Sequence, residues 1–328
     1  MDEKTKEFTY SGQAKIRLDH WLVELFPGVS RAYLQEKLQQ GVFKLNGKKA
    51  KKGSVVFPQD RLWVEGFVHP DQRRIQVNEN LDIVIRQEFD HYAVISKAAG
   101  IASHPNRFDD ATTVANWIIA RFPKAIDVGE DPLRPGIVHR LDTNTSGLMF
   151  VAKTQEGYQH LRSLFDARKV QKTYWALVLG QTPSEGRIDF PIAHHEKNPR
   201  KMVAIKNDMQ RYRSRLRHAQ TLYECVHQNE KHSLLRVQTL TGRMHQVRVH
   251  LSAIGFPLVG DPLYQNGHGA KDVSGAKRHF LHARSLQWPS FSTELMQRIQ
   301  DDLPDDLRSM VKKLLGLDLP RPFDPTLS

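Results

Sequence analysis

Two short stretches of this chain carry the residue types that could do chemistry. The first reads His139-Arg140-Leu141-Asp142-Thr143-Asn144-Thr145-Ser146-Gly147-Leu148-Met149, and the second Gly242-Arg243-Met244-His245-Gln246-Val247-Arg248-Val249-His250-Leu251. A single acid, Asp142, stands in the first stretch among small polar residues, just ahead of the apolar run Leu148-Met149-Phe150-Val151, which predicts a buried strand. A carboxylate on a loop feeding a rigid strand is well positioned to act as base or nucleophile. A lone loop aspartate more often caps a turn through its own carboxylate; here the whole eleven-residue setting argues for chemistry.

In the second stretch Val247, Leu251 and Ile254 recur at i, i+4 and i+7, predicting a helix from about His245. Arg243 and Arg248 are five residues apart, about 140° around such a helix, so they cannot serve one spot from a shared face. Arg248, next to the turn of Leu251, could point into a cleft and pair with Asp142, and a planar guanidinium can hold a carboxylate with two parallel hydrogen bonds. Arg243, ahead of the helix, suits phosphate or loop anchoring. A third segment, Lys172-Thr173-Tyr174-Trp175-Ala176-Leu177-Val178, predicts a strand in which Tyr174 could lay its ring against a flat base, although a strand tyrosine is more often plain core. Arg140, two residues before Asp142, could fill a gap in a base stack or bind a phosphate bidentately; the bland reading is a surface ion pair.

Other chemistries lack their motifs. His245 and His250 are five apart, His194 and His195 are adjacent, and the one cysteine, Cys225, has no partner, so no metal site is expected. There is no phosphate loop, dinucleotide fingerprint or Gly-x-Ser-x-Gly elbow. The single cysteine also excludes an internal disulfide framework and fits a reducing compartment. The first residues have no apolar core of a signal peptide and no run is long enough to span a membrane, so the expected setting is cytoplasmic. A formal net charge of +12 favours a polyanionic partner. The cations cluster at Lys44 to Lys52 and between His194 and His218, where Lys197, Arg200, Lys201, Lys206, Arg211, Arg213, Arg215 and Arg217 occur. One such run is usually a solvated face; two make phosphate binding the better reading.

The elements that must position these groups fall into two domains. Over residues 13–68, Leu18, Trp21, Leu22, Leu25 and Phe26 predict one helix ended by Pro27-Gly28. Ser30 caps a second carrying Leu34 and Leu38, which Gly41 stops. Asn46-Gly47 marks a hairpin after residues 42–45, and Val55, Val56, Leu62 and Val64 complete a small sheet. Residues 69–80 predict a linker. A second domain, 81–319, opens on strands at 81–86 and 93–96. Residues 292–317, with Leu295, Ile299, Leu303, Leu307 and Val311 spaced by four, predict two helices divided at Pro304. A loose tail, 320–328, follows.

The two stretches together resemble the signature of the RluA/RluD family of RNA pseudouridine synthases, and the resemblance extends over most of the chain. Lys172-x-Tyr174-x-Ala176 resembles the family's second motif. Gly255-x-Pro257-Leu258-Val259-Gly260-Asp261-x-x-Tyr264 also fits its pattern, and His282-Ala283 fits more weakly. Residues 13–68 resemble an S4 RNA-binding domain through Arg17-Leu18-Asp19, Ser30-Arg31, the helix with Lys37, and Val42-x-x-x-Asn46-Gly47-Lys48, a hairpin that also carries Lys44. The chain departs from the family at Ser96-Lys97-Ala98, usually Asn-Lys-Pro, and over residues 213–221, where only Ala219 and Thr221 align with the usual Gly-Lys-x-Ala-x-Thr. The resemblance implies an α+β enzyme with a long mixed, mainly antiparallel sheet, helices and a central cleft, preceded by a small S4-like α/β module. It implies isomerisation of uridine to pseudouridine in folded RNA, with Asp142 essential as nucleophile or base, Arg248 its partner, and Tyr174 at the uracil. It further implies that Arg140 takes the place of the flipped base and that His139, Lys172, Arg243, His245 and Gln246 join the RNA contacts. Substrate and product are isomers, so no cofactor is expected. The expected partner is ribosomal RNA of the large subunit, or a ribosomal precursor, with transfer RNA as the alternative, and the enzyme is expected to be a monomer. Two rivals stay open: a noncatalytic RNA-binding or assembly protein, which would not need the intact acid, tyrosine and arginine set, and a hydrolytic RNA enzyme, which would cleave the chain.

Overall fold

The structure is a computed structural model describing residues 5–69, 74–207, 209–265, 272–291, 293 and 295–319. The chain divides into two compact units, Met1–Arg74 and Ile75–Ser328. Among the described residues no helix is long and apolar enough to cross a membrane.

The first unit comprises β1 (Lys6–Thr9), β2 (Ile16–Arg17), α1 (Leu18–Leu25), α2 (Arg31–Gln40), β3 (Phe43–Leu45), β4 (Lys48–Lys49), β5 (Val55–Val56) and β6 (Arg61–Val64). Ser30 caps α2, its hydroxyl accepting the Tyr33 N–H, and Gly41 ends it in the left-handed conformation, at φ +84°. Asn46 and Gly47 both take positive φ, 49° and 78°, the pair that a tight hairpin between β3 and β4 requires. Leu18, Trp21 and Leu22 of α1 meet Leu34 and Leu38 of α2 over Phe43 and Leu62 of the sheet. Strand β1 pairs with β6, so this sheet takes in residues ahead of Gln13.

The second unit contains β7 (Ile83–Glu88), β8 (Tyr92–Lys97), α3 (Val114–Arg121), β9 (Ser146–Ala152), α4 (Gln155–Asp166), β10 (Gln171–Leu179), β11 (Glu185–Ile188), β12 (Ile192–His194), β13 (Met202–Ala204), β14 (Thr221–Gln228), β15 (His232–Thr239), α5 (Gln246–Ala253), β16 (Leu281–Pro289), β17 (Met296–Gln300) and α6 (Asp305–Leu315). Among the described residues, nine strands form one sheet in the order β11-β14-β15-β10-β16-β9-β8-β7, with β17 beside β16. All these pairs are antiparallel except β9 with β16. The class is α+β with a long, mainly antiparallel sheet, as expected. Ile75 is buried in this unit's core, and Asn116 and Asn78 tie residues 76–78 to it, so the stretch expected as linker up to Asn80 belongs to this unit from Ile75 onward.

Strand alternation explains how the sheet serves two faces. Along β10, Trp175, Leu177 and Leu179 pack with Leu307, Val311 and Leu315 of α6, whereas Ala176 and Val178 pack with Val247 and Leu251 of α5. Tyr174 falls on the α5 side. A register shift between Thr173 and Tyr174 in the β10–β16 pairing marks a bulge at that side chain.

The C-terminal expectation was half wrong. Residues 296–300 form β17 against β16, not a helix, while Pro304 caps α6. A spacing of four is a multiple of two, so Leu295, Ile299 and Leu303 satisfy a strand as well as a helix, and an available sheet edge decided the matter. The tail 320–328 lies outside the described residues.

Candidate active site

Asp142 sits on a loop fixed at almost every step. The Nε2 atom of His139 accepts the N–H of Phe150 (2.8 Å). The Ser103 hydroxyl accepts the Leu141 N–H (3.0 Å) and donates to the Leu141 carbonyl (2.8 Å). The Thr143 carbonyl accepts from Gly100 N–H (2.9 Å) and from Lys97 Nζ (3.0 Å), and Lys97 also donates to the carbonyls of Ala98 and Ile101. The Thr145 hydroxyl lies 2.8 Å from Nε2 of His279. The loop then enters β9 at Gly147, at φ +111°, where a Cβ would lie 2.3 Å from the Ala283 carbonyl; only glycine admits the close β9–β16 pairing that anchors the loop.

Across the cleft, α5 presents Arg248. Its Nη1 donates to Oδ2 of Asp142 (2.9 Å), while Nε and Nη2 fork onto Asp261 at 2.7 and 3.0 Å. The bidentate contact expected for Asp142 therefore falls on Asp261, and Asp142 receives one bond. Arg248 and Asp261 are 4% and 1% exposed, so Asp261 holds the guanidinium rigidly enough to place that single bond. Burial alone would push the Asp142 carboxyl up, but His245 and Arg248 hold it below the usual carboxylate range. Burial also pulls the His245 imidazole down, so near neutrality Arg248 is the full positive charge beside the acid. Asp142 is thus a desolvated carboxylate kept ionised. Burial likewise pulls the Lys97 ammonium down to about 7, although Asp142 favours its charged form.

His245 is the first turn's cap residue and has left-handed backbone, φ 56° and ψ 20°. Such a conformation costs a non-glycine residue about 1 kcal/mol or more and persists where its surroundings demand it. Here it brings Nε2 of His245 to 3.9 Å from Oδ2 of Asp142 and Nδ1 to 2.9 Å from the Tyr264 hydroxyl.

Asp142, His245 and Arg248 line a cleft of about 880 Å³ with Arg140, Lys172, Tyr174, Arg217 and Arg243. A second hollow, about 650 Å³, lies against Thr173 and Trp175 on the opposite face of β10, away from Asp142. Arg140 is exposed and lies 3.3 Å from Nε2 of His104. Burial pushes the Tyr174 phenol up to about 12, with the Asp142 charge adding to it, so it is a neutral hydroxyl. Burial, then the neighbouring Arg243, pulls Lys172 down to about 8. Arg243 donates from Nε to the His218 carbonyl (2.9 Å). Gln246 is tied to the protein on all sides: it donates to Gln220 and Thr221 and accepts from Thr241 and the Arg243 N–H. His139 is likewise held by Phe150, and burial pulls its imidazole down to about 3.

The residues named in the first unit differ in their freedom. Arg17 pairs with Asp19, and Lys44 with Glu65. Lys37 donates to Gln40, and Asn46 bonds Asp60 and the Arg61 N–H. Arg31 and Lys48 are exposed.

Ser103, Lys97, Asp261, Tyr264 and His279 support the site without having been assigned roles from sequence. Asp261 and Tyr264 lay within a motif already visible, and Lys97 within the Ser96-Lys97-Ala98 stretch at the end of β8. Ser103 and His279 carry no sequence signal.

The family model for RNA pseudouridylate synthases matches residues 91–253, a span that includes Asp142, Tyr174 and Arg248. An uncharacterised RNA pseudouridine synthase of Chloroflexus aurantiacus is 34% identical over 302 residues, covering 92% of this chain and 91% of its own. The ribosomal large subunit pseudouridine synthase D of Pseudomonas aeruginosa is 33% identical over 308 residues, covering 91% of each. Among solved structures, human RNA pseudouridylate synthase domain containing 1 aligns with 71% of this chain and 88% of its own, with a TM-score of 0.54 and 27% identity. Similarity that runs nearly end to end in both bacterial relatives, rather than over one shared motif, makes this chain an RNA pseudouridine synthase by family.

Proposed function

We propose that the enzyme converts uridine to pseudouridine in large-subunit ribosomal RNA, with Asp142 as its catalytic residue. The observation that carries the role of Asp142 is its state: a desolvated carboxylate, kept ionised by one bond from an arginine that a second acid holds in place. The target base must leave its stack to reach the cleft, at a cost of roughly a few kcal/mol. The N1–C1′ bond then breaks, the uracil turns, C5 joins C1′, C5 loses its proton and N1 gains one. Asp142 acts on the ribose side as nucleophile or base. Tyr174, aimed into the cleft by its bulge, holds the uracil, and Arg140 at the rim fills the vacated stack. Lys172 and Arg243 meet phosphates.

The ribosomal target is favoured by the name of the Pseudomonas relative. The first unit serves as an S4-like RNA-binding domain, with exposed Arg31 and Lys48 as its freest cations among the residues named there. The segment between His194 and His218 is a second phosphate-binding surface; Arg211, Arg213, Arg215 and Arg217 are all exposed on it. Mapping pseudouridines in total RNA tests the whole reading. Cells lacking the gene should lose sites in large-subunit ribosomal RNA, wild-type enzyme should restore them, and Asp142→Asn should not. Loss confined to transfer RNA would overturn the target, and RNA chain cleavage by the purified enzyme would overturn the reaction.

A further inference from the structure

The acid and His245 leave a gap whose chemistry is specific. Met202 donates its backbone N–H to the Tyr264 hydroxyl (2.9 Å), and that hydroxyl lies 2.9 Å from Nδ1 of His245. Among the described residues Nδ1 is the one acceptor within hydrogen-bond reach of that hydroxyl's own proton, so the phenol donates to Nδ1. The imidazole is then the tautomer with its proton on Nε2, the nitrogen that faces Asp142. The 3.9 Å between Nε2 and Oδ2 of Asp142 is too long for a hydrogen bond. It suits two groups sharing a third atom about 2.7–3.0 Å from each. One side of the gap offers an N–H donor and the other a carboxylate acceptor, so the atom that fits is a hydroxyl oxygen.

Of the ribose oxygens near the bond being broken, the ring oxygen only accepts, and the 3′ and 5′ oxygens are esterified within the RNA chain. The 2′-hydroxyl both donates and accepts. We propose that His245 and Asp142 clamp the 2′-hydroxyl of the target nucleotide, with Tyr264 as the positioning residue that fixes the His245 tautomer. His245 is then the group that makes the site read ribose rather than deoxyribose, and its left-handed backbone is what reaches that spot. The inference rests on the reading that Asp142 works on the ribose side.

The test uses full-length enzyme in single-turnover reactions, with a fragment of the mapped target RNA made with either uridine or 2′-deoxyuridine at the modified position. Wild-type enzyme should favour the ribose form by about tenfold or more, since a buried donor and acceptor would otherwise be left unpaired. His245→Asn tolerates the left-handed backbone but carries a shorter side chain, and should bring the ratio close to one, chiefly by slowing the ribose substrate. Tyr264→Phe should give an intermediate ratio. It should also move the acid limb of the rate upward in pH, because an Nδ1 relieved of the phenol's proton is easier to protonate. A wild-type ratio near one, or His245→Asn losses equal on both substrates, would overturn the clamp while leaving the reaction standing. Wild-type enzyme that forms no pseudouridine in the ribose substrate overturns the catalytic reading, and this inference with it.

Discussion

The floor of the cleft and the segment between His194 and His218 use cations in opposite ways. Arg248 is almost wholly buried, makes three directed bonds to two acids, and is held where Asp142 needs it. Arg213 and Arg215 are exposed on an irregular stretch tied down by backbone bonds between Arg213 and His194 and between Arg217 and Ile192. In the first case the surroundings are of low dielectric, geometry fixes the energy, and one displaced atom matters. In the second, water and salt screen each charge, so the number of cations matters more than the placement of any one. Chemistry and affinity should therefore separate cleanly under mutation.

The sharpest break in that contrast is Asp142→Asn. The amide is nearly isosteric but can neither take a proton as a base nor attack as a carboxylate. Single-turnover pseudouridine formation should fall by about 10⁴-fold or more, the scale seen when a reacting group is removed, while RNA affinity stays within about a few fold. Substantial turnover by the purified variant would move the chemistry away from Asp142.

Arg248→Lys comes next. Charge is kept, but an ammonium cannot fork onto Asp261 and still hold Asp142 from a fixed angle. A misplacement of about 1 Å at a reacting group can cost on the order of a hundredfold in rate. Arg243→Lys should be milder, since its Nε bond to the His218 carbonyl and a phosphate contact both tolerate a point charge. Comparable losses in the two variants would show that the buried fork has no special part.

How much of this was legible beforehand follows the same division. Asp142, Tyr174 and Arg248 were visible because their motifs are short and local, and so was the helix that begins at Gln246. The fork onto Asp261 was not, although Gly260-Asp261 stood in view: sequence spacing says nothing about which of two acids meets the flat side of a guanidinium. The straps on the loop were less visible still. Ser103 reaches Leu141 from 38 residues away and His279 reaches Thr145 from 134, distances over which local pattern carries no information. In the fold, the hairpin at Asn46-Gly47 and the cap at Ser30 were read from local chemistry. Strand β17 was misread because apolar residues four apart fit either period, and only the β16 edge settles the choice.

Lys97 offers a pH test of the buried side. Its folded value, about 7, lies below the ordinary lysine value. The unfolded chain therefore binds that proton through a pH range in which the folded enzyme does not, and stability should climb with pH from about 7 toward 10.5 on account of this group. As pH falls through 7 the contribution is lost. Replacing Lys97 with Met removes the titration. The difference in Tm, wild type minus Lys97→Met, should then grow more positive with pH over that window. A difference that stays flat would mean the three carbonyls keep Lys97 charged throughout.

The smallest effect is expected on the exposed side, and salt is the variable that exposes it. Arg213 and Arg215 are exposed, and if each meets a phosphate it releases counterions when RNA binds. Converting both to Gln should weaken RNA binding by only a few fold near physiological salt. It should also lower the slope of log affinity against log salt by somewhat under one unit per lost contact, about 0.7–0.9 each. The single-turnover rate at saturating RNA should not change, because neither residue lines the cleft that holds Asp142. Fluorescence titrations of a labelled target fragment at several salt concentrations give both quantities. An unchanged slope would make these arginines a solvated face, and a lower saturated rate would mean that Arg213 and Arg215 help shape the cleft that Arg217 lines, erasing the separation between affinity and chemistry.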